Sequence, residues 1–256
     1  MRFPPCRLIC LTEETVETLY LLGEQDRIAG VSGYAVRPPQ VRREKPRVSA
    51  FTSANIPKIL ALEPDLVLAF SDLQADILAD LARAGVAVHL FNQRDIAGIF
   101  AMIRTLGGLI GESAKAEALA ARLERHVETV AAAAHGQRPR VYFDEWDAPM
   151  IAGIGWVSEL IAIAGGTDCF AHLRGGSAKD RFVTSQDVIA ARPDVIVASW
   201  CGKKVAKDKI KARPGWGAIP AVADDRIVEI KSPLILQPGP AALTDGLAAL
   251  RAALQN

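Results

Sequence analysis

Patterns for binding a metal ion or for building a disulfide framework are missing from this sequence of 256 residues. The 4 cysteines include no Cys-x-x-Cys pair and are too sparse for a disulfide framework, and the 4 histidines include no His-x-x-x-His pair. Cys6 and Cys10 flank the first predicted strand, where we expect small core thiols. The sequence therefore predicts no protein-bound metal ion and no covalently attached cofactor.

An excess of charge of one sign is lacking as well. Lys and Arg number 30 against 29 Asp and Glu, for a formal net charge of +1. This balance argues against nucleic acid or an anionic membrane surface as a partner. The sequence also contains no glycine-rich phosphate loop and no Gly-x-Ser-x-Gly elbow, which disfavours an enzyme.

The first residues contain no recognisable export signal. Residues 1–12 hold no apolar run of sufficient length, and two acids, Glu13 and Glu14, come directly after them. No stretch is long and apolar enough to predict a membrane span. We therefore expect a cytoplasmic protein, or one whose signal is encoded upstream of residue 1.

The sequence does contain an internal repeat. Residues 56–69 and 185–198 each predict a short helix, a Pro-Asp corner and a strand that is apolar on both faces. Proline cannot continue the helix, and an apolar run without alternation suits a parallel strand covered by helices. Finding the unit twice predicts two lobes of similar build with a ligand cleft between them.

Strands alternate with helices along both halves, which predicts an α/β fold with mainly parallel sheets. Residues 113–134 break this alternation with one long amphipathic helix that has neither glycine nor proline. We predict an N-terminal αβ lobe over 1–111, a connecting helix over 112–136 and a C-terminal αβ lobe over 137–256.

Several segments, taken in order, are similar to those of a known family. They are the acidic Thr-rich start of the first helix, Gly30-Val31-Ser32, Arg37-Pro38-Pro39, residues 59–69, and Trp216-Gly217-Ala218-Ile219-Pro220-Ala221-Val222. Together they resemble the class III substrate-binding proteins of ABC importers, and most of all the cobalamin-binding branch beside the ferric-siderophore and haem binders. The resemblance implies two αβ lobes, one rigid interlobe helix, limited closure and a shallow cleft for a metal chelate. It also implies a periplasmic monomer that meets ABC permease subunits.

The docking surface departs from that family. Its members present an acidic residue on each lobe to arginines of the importer. The first lobe offers Asp72, Asp76 and Asp80. The corresponding region of the second is basic: Lys203, Lys204, Lys207, Lys209 and Lys211. A lysine-rich face disfavours docking in the usual orientation.

Residues that come directly after predicted strands should face the ligand, because ligands of parallel sheets bind beyond the carboxyl ends of strands. The predicted ligand-binding residues are Tyr34, Arg37, Phe51, Ser71, Asp72, Trp146, Trp156, Arg181, Trp200, Cys201 and Gln237. The tryptophans suit the faces of a flat chelate, although each could instead pack in its own lobe. Trp216, after Pro214-Gly215, is expected in the core.

The polar members of this set have narrower roles. Arg37 and Arg181 could receive ligand carboxylates or amide oxygens, or lie on the surface. Cys201 could ligate a soft metal as a thiolate, but a buried inert thiol is favoured. Tyr34 could be an axial ligand to haem iron. No catalytic residue is predicted.

The leading functional hypothesis is a receptor that delivers a corrinoid to an ABC importer. The alternatives are a ferric-siderophore or haem binding protein, and a cytoplasmic chelate binder or sensor that docks no transporter.

Overall fold

A computed structural model describes residues 3–173 and 177–255 of the chain. The chain divides into two compact units, Met1–Glu124 and Arg125–Asn256. Each unit has its own sheet, and every strand pair in both sheets is parallel. This confirms the predicted α/β class. The predicted boundaries, with residues 112–136 as a separate connecting element, stay a prediction.

The first unit is built on five strands. They are β1 (Leu8–Cys10), β2 (Ile28–Ser32), β3 (Arg47–Ser49), β4 (Leu66–Phe70) and β5 (Val88–Phe91). The order across the sheet is β3-β2-β1-β4-β5, so β1 lies at the centre. β4 is buried along its whole length, as its unbroken apolar run predicts.

Helices connect the strands of this unit. They are α1 (Glu13–Leu21), α2 (Val41–Glu44), α3 (Ile56–Leu60), α4 (Ala75–Arg83) and α5 (Ile96–Leu109). α1 ends before Gly23, which has a φ of +75° that a side chain would disfavour. The long helix α6 (Ser113–Ala132) comes next, two residues shorter than predicted. Arg104 of α5 joins it through Glu117 at 2.8 Å and Glu124 at 2.9 Å.

The second unit has four strands, β6 (Arg140–Asp144), β7 (Thr167–Asp168), β8 (Val195–Ala198) and β9 (Ile227–Glu229). Their order is β7-β6-β8-β9. The helices are α7 (Gly155–Ile163), α8 (Ser185–Ala191), α9 (Lys207–Lys211), α10 (Pro220–Ala223), α11 (Ser232–Ile235) and α12 (Leu247–Gln255). Trp216 is fully buried in the core beside Tyr142 and Phe170, as the sequence predicts.

The predicted repeat is present in both units. Residues 56–69 form α3 and β4, and residues 185–198 form α8 and β8. At both corners the residue before the proline has a positive φ, +48° at Glu63 and +46° at Arg192. The two units therefore turn from helix to strand in the same unusual way.

The sequence predicts that the threonine at the start of the first helix caps it, and this prediction is wrong. Thr12 does not cap α1 with its side chain; its hydroxyl instead donates to Glu14. In the lysine-rich segment 203–212, the helix α9 covers Lys207–Lys211. The closing helix begins with a π-helical turn, Ala242–Gly246, in which Gly246 passes so close to the Leu234 carbonyl that a side chain would not fit.

Within the described ranges, no helix is both long and apolar enough to cross a bilayer.

Candidate functional site

The first unit gathers polar residues where its strand order reverses. From β1 the chain progresses to β2 and β3 on one side and then returns to β4 and β5 on the other. Ligands of open parallel sheets bind at such a reversal, beyond the carboxyl ends of the strands. Here that edge carries Glu13 and Glu14, soon after β1, and Ser71 with Gln74, directly after β4.

The side chain of Gln74 makes hydrogen bonds to the backbone of three segments at this edge. It is fully buried, and its side-chain Nε2 donates to the carbonyl of Phe51 at 2.7 Å and to that of Leu11 at 3.3 Å. Its Oε1 accepts the backbone N–H of Phe70 at 3.1 Å. The ends of β1, β3 and β4 are therefore held at one place by a single amide.

Glu13 and Glu14 are buried at the start of α1, with 7% and 1% of their surface exposed. Burial raises the pKa of the Glu13 carboxyl to about 7. Burial, with repulsion from Glu13 added, raises the pKa of the Glu14 carboxyl to about 8, against the hydrogen bond from Thr12. The sequence marks these two acids only as favourable to the helix dipole, because their burial depends on tertiary structure.

The predicted residues of the first unit lie in different surroundings. Tyr34 is 44% exposed in the loop after β2, and Phe51 is half-buried. Arg37 pairs with Glu17 at 3.0 Å, and exposed Asp72 pairs with Arg94 at 3.2 Å. Ser71 is buried with φ +67° and ψ 164°, a conformation that costs a non-glycine residue free energy and that concentrates at functional sites.

In the second unit the order reverses between β6 and β8, and Asp144 ends β6 fully buried. Its carboxylate accepts from the Tyr142 hydroxyl at 2.9 Å and from Arg213 Nη2 at 3.2 Å. Arg213 also donates to Asp147 at 3.0 Å and stacks over Trp216. Burial raises the pKa of Asp144 to about 6, opposed mainly by Arg213. This network was not predicted from the sequence.

Arg181 has a partner within its own unit. Its guanidinium, 2% exposed, binds both oxygens of Glu145, through Nη1 at 2.5 Å and Nη2 at 2.9 Å. Nη1 also donates to the Ala152 carbonyl. The planar fork that the sequence offers to a ligand carboxylate is thus filled by a carboxylate of the protein.

Among the four tryptophans, Trp146 stands out by its partial exposure. Its indole N–H donates to the Ala148 carbonyl at 3.1 Å, and the Lys203 ammonium lies 4.1 Å from the ring centroid. Trp156 is 2% exposed and donates to the Ile235 carbonyl at 2.9 Å, while Trp200 is 4% exposed within the core. Trp200 is therefore a core residue, whereas Trp146 packs against the same core and stays partly exposed.

Two predicted residues of the second unit remain. Cys201 comes directly after Trp200 and is exposed, so the expectation of a buried thiol is wrong. Gln237 is half-buried after α11. Throughout residues 3–173 and 177–255, no group of three or more His, Cys, Asp or Glu residues is placed to hold a metal ion.

The chain is similar to known proteins along most of its length. The profile of the periplasmic binding protein family matches residues 8–234. A cobalamin-binding protein of Halobacterium salinarum is 27% identical over 250 residues, which cover 92% of this chain and 66% of that protein. The chain thus spans slightly less than two thirds of that relative.

Two solved structures are similar along almost the whole chain. The periplasmic heme-binding protein from Roseiflexus sp. RS-1 has a TM-score of 0.82 and 26% identity, covering 97% of this chain and 99% of that one. The periplasmic vitamin B12 binding protein of Vibrio cholerae has a TM-score of 0.79 and 25% identity, covering 99% and 98%. With the profile match over most of its length and the same two-unit parallel architecture, the chain belongs to the periplasmic binding protein family.

Proposed function

We propose that this chain is a non-catalytic solute-binding protein that binds a metal chelate and delivers it to an ABC importer, with a corrinoid as the leading ligand. One observation carries the proposal: the family match spans residues 8–234, and relatives named for cobalamin and vitamin B12 align with 92% and 99% of the chain. The proposal includes a monomeric protein that acts in the periplasm.

The side chains at the strand ends suit a wide, flat ligand. Trp146 presents part of an indole ring beyond β6, and Tyr34 and Phe51 keep partly exposed rings beyond β2 and β3. Aromatic faces and a few oriented polar groups are what hold large ring ligands in proteins. Gln237, Cys201, Ser71 and Asp72 are the polar residues that we assign to ligand contact.

Haem is the second candidate ligand, because the relative from Roseiflexus is named for heme. Tyr34, with 44% of its surface exposed, is the residue of this chain that we assign to haem iron in that case. A ferric siderophore is the third candidate, held by the same aromatic rings.

A chelate binder that docks no transporter is the alternative role. It is favoured by the exposed lysines of the segment 203–211, since a basic surface would repel the arginines of an importer. A signal or lipoprotein cysteine encoded upstream, with neighbouring permease and ATPase genes, would favour import. Fractionation that finds the protein only in the cytoplasm would favour the alternative.

The decisive experiment is a titration of the purified protein with cyanocobalamin, followed by tryptophan fluorescence and by the corrin absorbance. The expected result is saturable quenching with a Kd in the micromolar range or tighter. Haem and ferric siderophores are titrated in parallel. Binding of haem or a siderophore alone would replace the corrinoid assignment, and no binding of any chelate would overturn the proposed function.

A further inference from the structure

The junction of β1 and α1 holds two carboxyl groups whose hydrogen bonding is incomplete. Thr12 donates to Oε1 of Glu14 at 2.5 Å. Oε2 of Glu14 and Oε2 of Glu13 are both buried and accept no hydrogen bond from any residue in 3–173 or 177–255. Buried acceptors in folded proteins nearly always find a donor, so two orphaned acceptors side by side require an explanation.

Capping of α1 does not account for them. Acidic residues near a helix N-terminus are favourable, but an exposed acid gains the same benefit without the cost of burial. No ion pair of the described residues involves either carboxyl group. Cys10 lies close by, and burial raises the pKa of its thiol to about 12. The charge of Lys45 acts on that thiol in the opposite direction.

The pair lies at the reversal of strand order, beside an edge that hydrogen bonds hold together. Gln74 ties the backbone of Leu11, at the end of β1, to the end of β4. Ser71 at that end is held in a backbone conformation that is strained for serine. A fixed edge of this kind suits a site whose acceptors are positioned before the ligand arrives.

We propose that Glu13 and Glu14 accept hydrogen bonds from amide or ammonium groups on the rim of the chelate, so that the protein selects chelates with such donors over chelates with rim carboxylates. This inference rests on the proposed function and names the ligand class within it.

The chemistry separates the candidate ligands. A corrin ring carries carboxamide side chains, whose N–H groups can donate to both Oε2 atoms. Haem carries propionates. At pH 8 the Glu13 carboxyl, with a pKa of about 7, is mostly ionised, so a propionate brought against the pair is repelled or must take up a proton. A site built for a donor also rejects analogues that lack it, because its own acceptors are left unpaired.

The test uses a matched pair of ligands, cyanocobalamin and its derivative in which rim amides are hydrolysed to carboxylates. Both are titrated by absorbance at pH 8 against the full chain and against Glu13→Gln, Glu14→Gln and the control Glu128→Gln, an exposed residue of α6. The unmodified chain is expected to prefer the amide ligand by about tenfold or more, the scale of one hydrogen-bonded group. Each glutamine adds a donor at the site, so the preference should fall to about threefold or less, while Glu128→Gln leaves it unchanged.

The melting temperature of the ligand-free protein is the second readout. A functional acceptor pair costs stability in the absence of ligand, so Glu14→Gln should melt at a higher temperature than the unmodified chain at pH 8. A lower melting temperature for both variants would assign the pair to helix capping and overturn the inference. If Glu14→Gln does not fold, Glu13→Gln decides the outcome.

The remaining outcomes separate this inference from the proposed function. Chelate binding with an amide preference that neither variant changes would overturn the inference and leave the proposed function standing. Preference for the carboxylate ligand by the unmodified chain would do the same. If no chelate binds, both fall together.

Discussion

Asp65 and Asp194 make the same contact in the two units. Asp65 Oδ2 accepts the backbone N–H of Arg7 at 3.0 Å, just before β1, and Asp194 Oδ2 accepts that of Arg140 at 2.7 Å, at the start of β6. Both aspartates come directly after the proline of the repeated corner. The corner therefore does more than turn the chain, because its aspartate also holds the backbone at the start of β1 in one unit and of β6 in the other.

Replacing either aspartate with alanine should destabilise the protein. A hydrogen bond to a charged group contributes about 1.5–3 kcal/mol, so Asp65→Ala and Asp194→Ala should each lower the free energy of unfolding by roughly that amount. Urea unfolding followed by circular dichroism measures the change. Asp224→Ala, at an exposed position, is the control, and an equal loss there would contradict this role for the corner.

Stability should fall as pH rises through neutrality because of Glu13 and Glu14. Both folded-state pKa values, about 7 and about 8, lie above the ordinary 4.5. The folded protein therefore binds more protons than the unfolded chain between those limits, and this contribution to stability is full below about 4.5 and lost by about pH 8. Unfolding free energies at intervals from pH 5 to pH 9 measure it. The double variant Glu13→Gln/Glu14→Gln should flatten the slope; an unchanged slope would refute this source.

Removing Glu145 should be more harmful than removing the whole ion pair. Glu145→Gln leaves the Arg181 charge buried beside a neutral partner, and breaking a buried pair costs about 3–5 kcal/mol. The double variant Glu145→Gln/Arg181→Met removes that charge and should recover much of the loss. Chemical denaturation of the single and double variants gives the coupling. Strict additivity would show that the two residues act independently.

Alanine substitution should have different effects on stability and on chelate binding at Trp146 and at Trp200. Trp200 lies in the core, so its truncation should cost about 3–5 kcal/mol of unfolding free energy. Trp146 is partly exposed and carries Lys203 on its ring, so its truncation should leave folding nearly intact and weaken chelate binding. Melting temperatures and cyanocobalamin titrations of both variants check this. Normal chelate affinity in Trp146→Ala would remove the aromatic contact from the proposed site.

The sequence predicted the architecture well because its signals are local. Apolar runs such as Leu66–Phe70, the Pro-Asp corners and Gly23 each specify their own conformation with little help from the rest of the chain. α6 begins at the predicted residue and ends two residues early. Trp216 in the core was also predictable, from the Pro-Gly turn before it.

The details of the site were less predictable because they depend on contacts between distant residues. Arg181 and Glu145 are 36 positions apart, so nothing local reveals that each neutralises the other. Thr12 looks like a cap until its hydroxyl is seen on Glu14. The burial of two adjacent acids contradicts the usual exposure of glutamate, and only the packed structure discloses it.

The residue before the proline of each corner has a left-handed backbone, at Glu63 and at Arg192. A mutational scan of this chain can therefore test the same backbone conformation at two positions. Both positions have a φ near that at which glycine and asparagine are tolerated and β-branched residues are not. The two positions lie in different units and are alike mainly in the Pro-Asp pair that follows them, so agreement between the two substitution profiles would indicate a shared backbone requirement. One library, read at two codons, would thus measure the same conformational preference twice.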